Sequence, residues 1–440
     1  MTMKMNDMVI CSVDDHAIEP PEAYFPHYSA DKKDEAPRVI EKDGKDAWLW
    51  NDTVYPTIGL NAVVGRPRSE YGMEPDRFTQ MRPGCYDAKT RIDDMNVNGL
   101  LASLNFQTMS GYTGQTWIQA AQAGHADKAL RALRATNDWQ VLEWCAAGPG
   151  RFIPMIQLPL WDMNETLAEM KRWHAHDVHA IAFPDNPAPN KLPSIHNEYW
   201  EPLWKAACDY KMVLNCHIGT GSYAAHASDE SPIDAWITSM PISIASSAAD
   251  WLFAKFWSRY PDLRMALSEG GIGWVPYLLE RADYTYEHHH EWTFSDFGKE
   301  RPSDVFKRHI ITCFIDDQFG LKNLDYLNTD MVTYEVDYPH SDTQWPNCPE
   351  LIWAAVQGLS DEVIDAITHK NVLREYNFDP FSILGGRENC TVGHLRELGK
   401  DVDVSPRANL GGLKTESMDL VGNARRPVTS GEIKKMFAPA

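Results

Sequence analysis

The sequence predicts an α/β fold of the (β/α)8 TIM-barrel type, with an N-terminal β-hairpin insertion and a C-terminal extension. Short apolar runs with the length of buried strands alternate along the chain with amphipathic stretches of helical length. Eight such runs are present, and eight is the number that closes a barrel of parallel strands. The chain of 440 residues is long enough for one large barrel with insertions.

The predicted elements follow one another with turn signals between them. Gly99 ends the first helix, and Gly148-Pro149-Gly150 precedes the third strand. The predicted strands are residues 8–13, 100–106, 152–160, 179–183, 212–217, 264–268, 309–315 and 331–336. The predicted helices are residues 90–98, 128–146, 164–176, 198–210, 245–260, 274–291 and 361–376. We therefore assign residues 1–385 to the barrel.

An insertion of about residues 20–90 separates the first strand from the first helix. Within it, the turn signal Asp43-Gly44 lies between two short β-prone runs, and this arrangement predicts a β-hairpin. Trp48 and Trp50 share one face of that hairpin because side chains alternate along a strand. We expect this face to pack on the barrel or to cover a site.

Residues 386–440 break the alternation and form the predicted C-terminal extension. Pro406, Pro427 and the pair Gly411-Gly412 interrupt the segment, and it has no long apolar period. We expect an arm that lies over the barrel or over a neighbouring subunit, in preference to a functional module.

The amino-acid composition indicates which classes of binding partner to exclude and which cellular compartment to expect. A formal net charge of −21 argues against nucleic acid and anionic membranes, whose phosphates would be repelled. The eight cysteines contain no C-x-x-C pair, which fits reduced thiols and argues against cysteine as a metal ligand. No apolar run approaches the roughly 20 residues that cross a bilayer, and the first residues lack the apolar core of a leader. We expect a cytoplasmic protein.

The first strand ends in Asp14-Asp15-His16, a pattern that can form half of a metal site. Alternation along a strand places Asp14 and His16 on one face and Asp15 on the other. A carboxylate and an imidazole so placed suit a divalent ion of the zinc, manganese or iron type. The ordinary alternative is that Asp14 is a turn residue and His16 precedes a helix.

Other strand ends supply more ligand-capable residues, as expected where the active site of a barrel lies. The fifth strand ends at His217 and the eighth is followed by Asp337, with Glu269 after the sixth and His340 close behind Asp337. Nitrogen and oxygen donors without thiolate suit one Zn²⁺ or Mn²⁺ ion with an open position. Further candidates for lining the pocket, and thus for binding substrate, are Asp316, Asp185 and Asn186.

The chain resembles the amidohydrolase superfamily, in the branch that contains aminocarboxymuconate semialdehyde decarboxylase and γ-resorcylate decarboxylase. The motifs that carry the resemblance are VDDHAIEPP, NCHIGTG, SEGGIGWVPYLLERAD and YEVDYPHSD, between residues 13 and 342. The resemblance implies that the metal ligands are Asp14, His16, His217 and Asp337. The first-strand motif departs from the usual H-x-H or E-x-H, and Glu269 stands where several members have a histidine. The fourth strand has no lysine to bridge two metals, so we expect one ion.

The resemblance implies a non-oxidative decarboxylase that chelates a small aromatic or dienoic carboxylic acid, protonates its carbon and releases CO₂. Asp337 is expected to hold the metal and relay a proton, with Glu269 and His340 as the acid/base pair. The equal alternative for Glu269 is a partner that orients one of the metal ligands. The alternative is a hydrolase or hydratase that uses metal-activated water on a lactone, amide or unsaturated acid. A third possibility is a barrel that binds a ligand without catalysis. The C-terminal extension and the oligomeric state common in the family that the chain resembles point to a homodimer.

Overall fold

The structure is a computed structural model that describes residues 3–72, 74–408 and 427–436. Its strands are β1 Cys11–Ala17, β2 Arg38–Lys42, β3 Lys45–Trp50, β4 Thr53–Tyr55, β5 Ala102–Gln107, β6 Phe152–Ile153, β7 Met155–Gln157, β8 Ala180–Ala182, β9 Val213–His217, β10 Arg264–Ser268, β11 Ile310–Phe314 and β12 Val332–Tyr334. Its α-helices are α1 Ala88–Val97, α2 Gln115–Ala120, α3 Ala126–Trp139, α4 Met163–His174, α5 Glu201–Asp209, α6 Ile233–Leu252, α7 Val275–Thr293, α8 Pro302–His309, α9 Gln318–Lys322, α10 Cys348–Val356, α11 Asp361–Asp365, α12 Asn371–Glu375, α13 Pro380–Leu384, α14 Val392–Leu398 and α15 Ser430–Met436.

The central strands are parallel and form the predicted TIM barrel. They run β1-β5-β6 in one sheet and β7-β8-β9-β10-β11-β12 in another. Only Pro154 separates β6 from β7, and a proline cannot donate to the ladder, so the pair acts as one interrupted strand. The two sheets also meet where β1 lies beside the segment that follows β12. There the amide of Asp337 donates to the carbonyl of Asp14 at 2.8 Å, and the amide of His16 donates to the carbonyl of Tyr338 at 2.7 Å.

Alternation along β9 shows how the strands divide their side chains between two layers. Leu214 and Cys216 are buried in the apolar cluster that also contains Trp204 of α5 and Trp251 of α6, so this face packs on the helices. Val213 belongs to a second cluster with residues of neighbouring strands, inside the barrel. His217 shares the face of Val213 because it lies four residues later. The strand therefore delivers this imidazole to the inner mouth of the barrel.

The insertion forms the predicted hairpin and adds a third antiparallel strand, β4, to it. Asp43 and Gly44 take up positive φ values at the turn, as the turn signal indicates. Trp48 and Trp50 are buried in the main core, where Trp48 packs edge-on against Tyr24 and Trp50 packs edge-on against Trp117. The prediction that this face packs on the barrel is confirmed.

Some sequence predictions were wrong in their boundaries. The helix predicted at residues 245–260 is α6, which begins at Ile233 and ends at Leu252. It runs through Pro241, although a proline inside a helix removes one helical hydrogen bond. The sequence patterns also missed several helices that are short or carry a proline in the first turn, namely α2, α8, α9, α10, α13, α14 and α15.

The described parts of the C-terminal extension lie on the barrel. The amide of Val392 donates to the carbonyl of Met8 at 2.8 Å, beside the start of β1. The amide of Ile233 donates to the carbonyl of Val428 at 2.8 Å, at the start of α6. The pair Gly411-Gly412 lies outside the described residues. The division at residue 386 stays a proposal.

All eight cysteines are free thiols, as expected. Among the described residues, no helix combines the length and the apolar character that crossing a membrane requires.

Candidate metal centre

Four side chains from three strand ends converge at one mouth of the barrel. His16 Nε2 lies 3.6 Å from Asp14 Oδ1 and 3.2 Å from Asp337 Oδ1. His217 Nε2 lies 3.6 Å from Asp14 Oδ2. All four side chains are buried, with at most 2% of the side chain exposed. Asp14, His16 and His217 form one group with the geometry of metal ligands, and His16, Asp337 and His340 form another.

The atoms that face one another in this cluster lack ordinary partners. Both carboxylate oxygens of Asp14 and of Asp337, and Nε2 of His16 and of His217, are buried without a hydrogen bond. A buried polar atom without a partner costs about 1–3 kcal/mol, and a charged one costs more. Donors that share one ion at about 2.1 Å lie about 3.0–3.4 Å apart, close to the separations above. These residues fit a divalent cation.

The electrostatics of the cluster point the same way. Burial, followed by the charges of Glu335 and Asp337, raises the pKa of Asp14 well above its ordinary value. Burial lowers the pKa of His16 well below its ordinary value and the pKa of His217 to about 3. The imidazoles are therefore neutral, as metal ligands must be, and the carboxylates lack a compensating charge.

The first strand divides its acidic residues as alternation predicts. Asp14 and His16 face the cluster, whereas Asp15 accepts a hydrogen bond from Ser12 Oγ at 3.0 Å and one from the amide of Tyr338 at 3.2 Å. Arg91 lies 4.0 Å from Asp15. Asp15 therefore helps to fasten β1 to the segment after β12, which carries Asp337.

His217 is oriented by its own loop. Its Nδ1 lies 2.7 Å from the carbonyl oxygen of Ile218. A carbonyl only accepts, so Nδ1 carries the proton and Nε2 presents a lone pair to the cluster. This is the arrangement that a second hydrogen bond imposes on a metal-binding histidine.

The expected acid/base residues lie on opposite sides of the cluster. His340 Nδ1 is 2.8 Å from Asp337 Oδ1, and the His340 ring lies 3.8 Å from the ring of His16. Glu269 instead faces His217, with its Oε2 3.2 Å from His217 Nε2. Burial lowers the pKa of His340 to about 3, while burial and the charge of Asp337 raise the pKa of Glu269.

The three residues expected to bind substrate are placed differently from one another. The Asp185 carboxylate accepts hydrogen bonds from Thr220 Oγ1 at 2.9 Å and from Ser247 Oγ at 2.5 Å. Asn186 Oδ1 accepts a hydrogen bond from the amide of Ala188 at 3.1 Å. Asp316 is exposed at the end of β11. We propose that Asp185 acts by holding the loop after His217, because its oxygens are already engaged there.

Replacement of Asp185 by alanine is expected to loosen that loop. The change removes the acceptor for Thr220 and Ser247 and should lower the free energy of unfolding by about 1–3 kcal/mol. It should also speed proteolysis between residues 218 and 232, measured by limited digestion and mass spectrometry. Asp316→Ala, at the exposed end of β11, is the control. Equal digestion rates in the two variants would contradict the assignment.

One residue at the mouth was missed by the sequence analysis. The ring of Tyr112 lies 4.6 Å from that of His16 and 4.4 Å from that of His217, and its hydroxyl is 3.5 Å from His340 Nε2. The neighbouring Gly111 and Gly114 have φ values of 77° and 79°, which glycine adopts without strain. The G-x-x-G spacing after the second barrel strand is the signal that marks this loop.

The protein-family model described as Amidohydrolase matches residues 74–378. A search of curated protein sequences finds no match.

Solved structures share the fold over most of the chain. The amidohydrolase map2389c from Mycobacterium avium subsp. paratuberculosis is 16% identical, covers 84% of this chain and 99% of its own, and gives a TM-score of 0.64. 5-Carboxyvanillate decarboxylase LigW from Sphingomonas paucimobilis is 16% identical, covers 84% of this chain and 99% of its own, and gives a TM-score of 0.56. 5-Carboxyvanillate decarboxylase LigW2 from Novosphingobium aromaticivorans was solved with bound manganese and 3-methoxy-4-hydroxy-5-nitrobenzoic acid. It is 15% identical, covers 86% of this chain and 99% of its own, and gives a TM-score of 0.56. At these identities the likeness shows a common fold.

Proposed function

Because the chain belongs to the amidohydrolase family, we propose that it is a metal-dependent enzyme that decarboxylates a small aromatic or dienoic carboxylic acid without oxidation. The observation that carries the proposal is the convergence of Asp14, His16, His217 and Asp337 with unpartnered donor atoms. Decarboxylases share this fold, and one of them is seen with manganese and a substituted benzoic acid.

A bound divalent ion would supply a Lewis acid that draws the substrate carboxylate into the centre. The chain itself must place the proton. His340 is suited to this because its Nδ1 lies beside Asp337 and its Nε2 faces the Tyr112 hydroxyl. In its neutral form this imidazole accepts a proton from solvent water at Nε2 and then donates it to the carbon that bears the carboxylate, so that the net proton consumed comes from solvent. The bond to the carboxylate breaks, its electron pair returns to the conjugated system, and CO₂ leaves.

Tyr112 is proposed to form the wall against which the planar substrate stacks. We expect Tyr112→Ala to raise KM for an aromatic acid about 5- to 10-fold, since an aromatic pair contributes about 0.5–1.5 kcal/mol. Tyr112→Phe keeps the ring and should leave KM within about threefold of the unchanged protein. Steady-state kinetics on both variants tests this. An unchanged KM in Tyr112→Ala would show that the Tyr112 ring does not contribute to substrate binding.

A hydrolase or hydratase is the second candidate. Glu269 favours it, because a buried carboxylate beside a metal site can act as a base toward water. Protein loaded with Mn²⁺ or Zn²⁺ should be incubated with hydroxybenzoates, dienoic acids, lactones and amides, while CO₂ release and substrate loss are recorded. CO₂ from an acid supports the decarboxylase, and turnover of a lactone or amide without CO₂ supports the alternative. Metal-free protein that binds a ligand without turnover would support a non-catalytic barrel.

The homodimer and the cytoplasmic location stay predictions. Light scattering coupled to size-exclusion chromatography should give a mass of about twice 49.9 kDa.

A further inference from the structure

The carboxylate of Glu269 meets His217 in a contact that is not a hydrogen bond. Glu269 Oε2 lies 3.2 Å from His217 Nε2, yet Nε2 has no hydrogen-bond partner. The proton of this imidazole is on Nδ1, facing the carbonyl of Ile218. The lone pair of this nitrogen and a carboxylate oxygen thus face each other in a buried site. Two acceptor atoms at this distance repel unless a proton or a metal cation lies between them.

The separation matches that of two donors on one ion. It equals the 3.2 Å between His16 Nε2 and Asp337 Oδ1, both expected ligands. Donors at right angles around an ion with bonds of about 2.1 Å lie about 3.0 Å apart. A cation bound by His217 would therefore lie within reach of Glu269, whereas His340 lies on the side of Asp337.

The backbone at two strand ends takes up the same unusual conformation. Glu269 follows β10 with φ at 58°, and Asp337 follows β12 with φ at 55°. Residues that carry a side chain rarely adopt this left-handed region, because the Cβ atom crowds the backbone there. The amide of Glu269 donates to Glu335 Oε2 at 3.0 Å, which holds the turn. Such strain is retained where a side chain must be aimed, and here both side chains reach the same cluster.

We propose that Glu269 is a fifth protein ligand of the metal ion and raises the affinity of the centre for Mn²⁺ relative to Zn²⁺. With it the donors are three carboxylates and two imidazoles. Carboxylate oxygens and higher coordination numbers suit manganese, whereas zinc favours four ligands with nitrogen or sulfur among them. The inference rests on the proposed function in one respect, which is that the centre holds a divalent ion.

Metal binding by Glu269→Gln tests the assignment. Glutamine keeps the size of the side chain and can donate a hydrogen bond to His217 Nε2, but it is a poor ligand. Full-length protein is stripped with a chelator and titrated with Mn²⁺, and the free ion is followed by electron paramagnetic resonance. We expect affinity for Mn²⁺ to fall at least tenfold, affinity for Zn²⁺ to fall less, and the spectrum of bound Mn²⁺ to change. Glu269→Asp should restore part of the affinity, and Glu230→Gln, on an exposed loop, should match the unchanged protein.

Each outcome decides a separate point. An unchanged Mn²⁺ affinity and spectrum in Glu269→Gln, with one ion bound by the natural sequence, would show a protonated Glu269 that donates to His217. An equal loss of affinity for Mn²⁺ and Zn²⁺ would support Glu269 as a metal ligand and overturn the proposed preference for Mn²⁺. Absence of a stoichiometric ion from the natural sequence would overturn the proposed function itself.

Discussion

His217→Ala is expected to abolish metal binding and activity together. His217 supplies a buried Nε2 with no other partner, 3.6 Å from Asp14 and 3.2 Å from Glu269. Its loss leaves a gap in the ligand set and two carboxylates without a neutral neighbour. Metal content should fall from about one ion per chain to less than about a tenth. Because a catalytic metal contributes several kcal/mol, kcat/KM should fall by at least about 1,000-fold.

Elemental analysis and steady-state kinetics measure the two effects. His288→Ala, on the exposed side of α7, is the matched control and should retain metal and activity. His217→Gln guards against a folding defect, because it fills the same space and keeps a polar group toward Ile218. If folded His217→Gln protein carries a full complement of metal and turns over normally, the proposed centre is wrong.

The metal centre shows which parts of a barrel can be predicted from a single chain. Parallel strands bring their carboxyl ends to one rim, and the period of two tells which side chains face inward. These two rules are enough to bring His16, His217 and Asp337 together without knowledge of any helix. They apply because His16 and His217 lie within the last two residues of their strands, and Asp337 lies three residues after β12.

Tyr112 and Asp185 show where that reasoning stops. The position of Tyr112 depends on a loop with two left-handed glycines, whose path alternation does not describe. The carboxylate of Asp185 is engaged by Ser247, on a helix whose start the sequence placed too late. Side chains that depend on contacts between distant elements require the assembled structure.

Asp14→Asn is expected to be more stable than the natural protein in the absence of metal and less stable than the natural protein in the presence of metal. Without metal, the natural sequence buries the Asp14 carboxylate with no partner for either oxygen. Asparagine removes the buried carboxyl group whose pKa is raised by burial, and its amide can donate to the lone pair of His217. In chelator the variant should therefore unfold about 1–3 °C higher, which is about 1–3 kcal/mol spread over the unfolding entropy of 440 residues.

Manganese should invert this difference. An ion at 1,000 times its Kd stabilises the folded state by about 4.1 kcal/mol, or about 4 °C for a chain of this length. The variant loses one anionic ligand and should gain little from the ion, so the natural sequence becomes the more stable form. Differential scanning calorimetry with chelator and with Mn²⁺ gives both comparisons, and Asp316→Asn should follow the natural sequence in each. Parallel shifts in all three proteins would mean that manganese binds elsewhere, because only an ion held by Asp14 can make its charge an advantage in one state and a burden in the other.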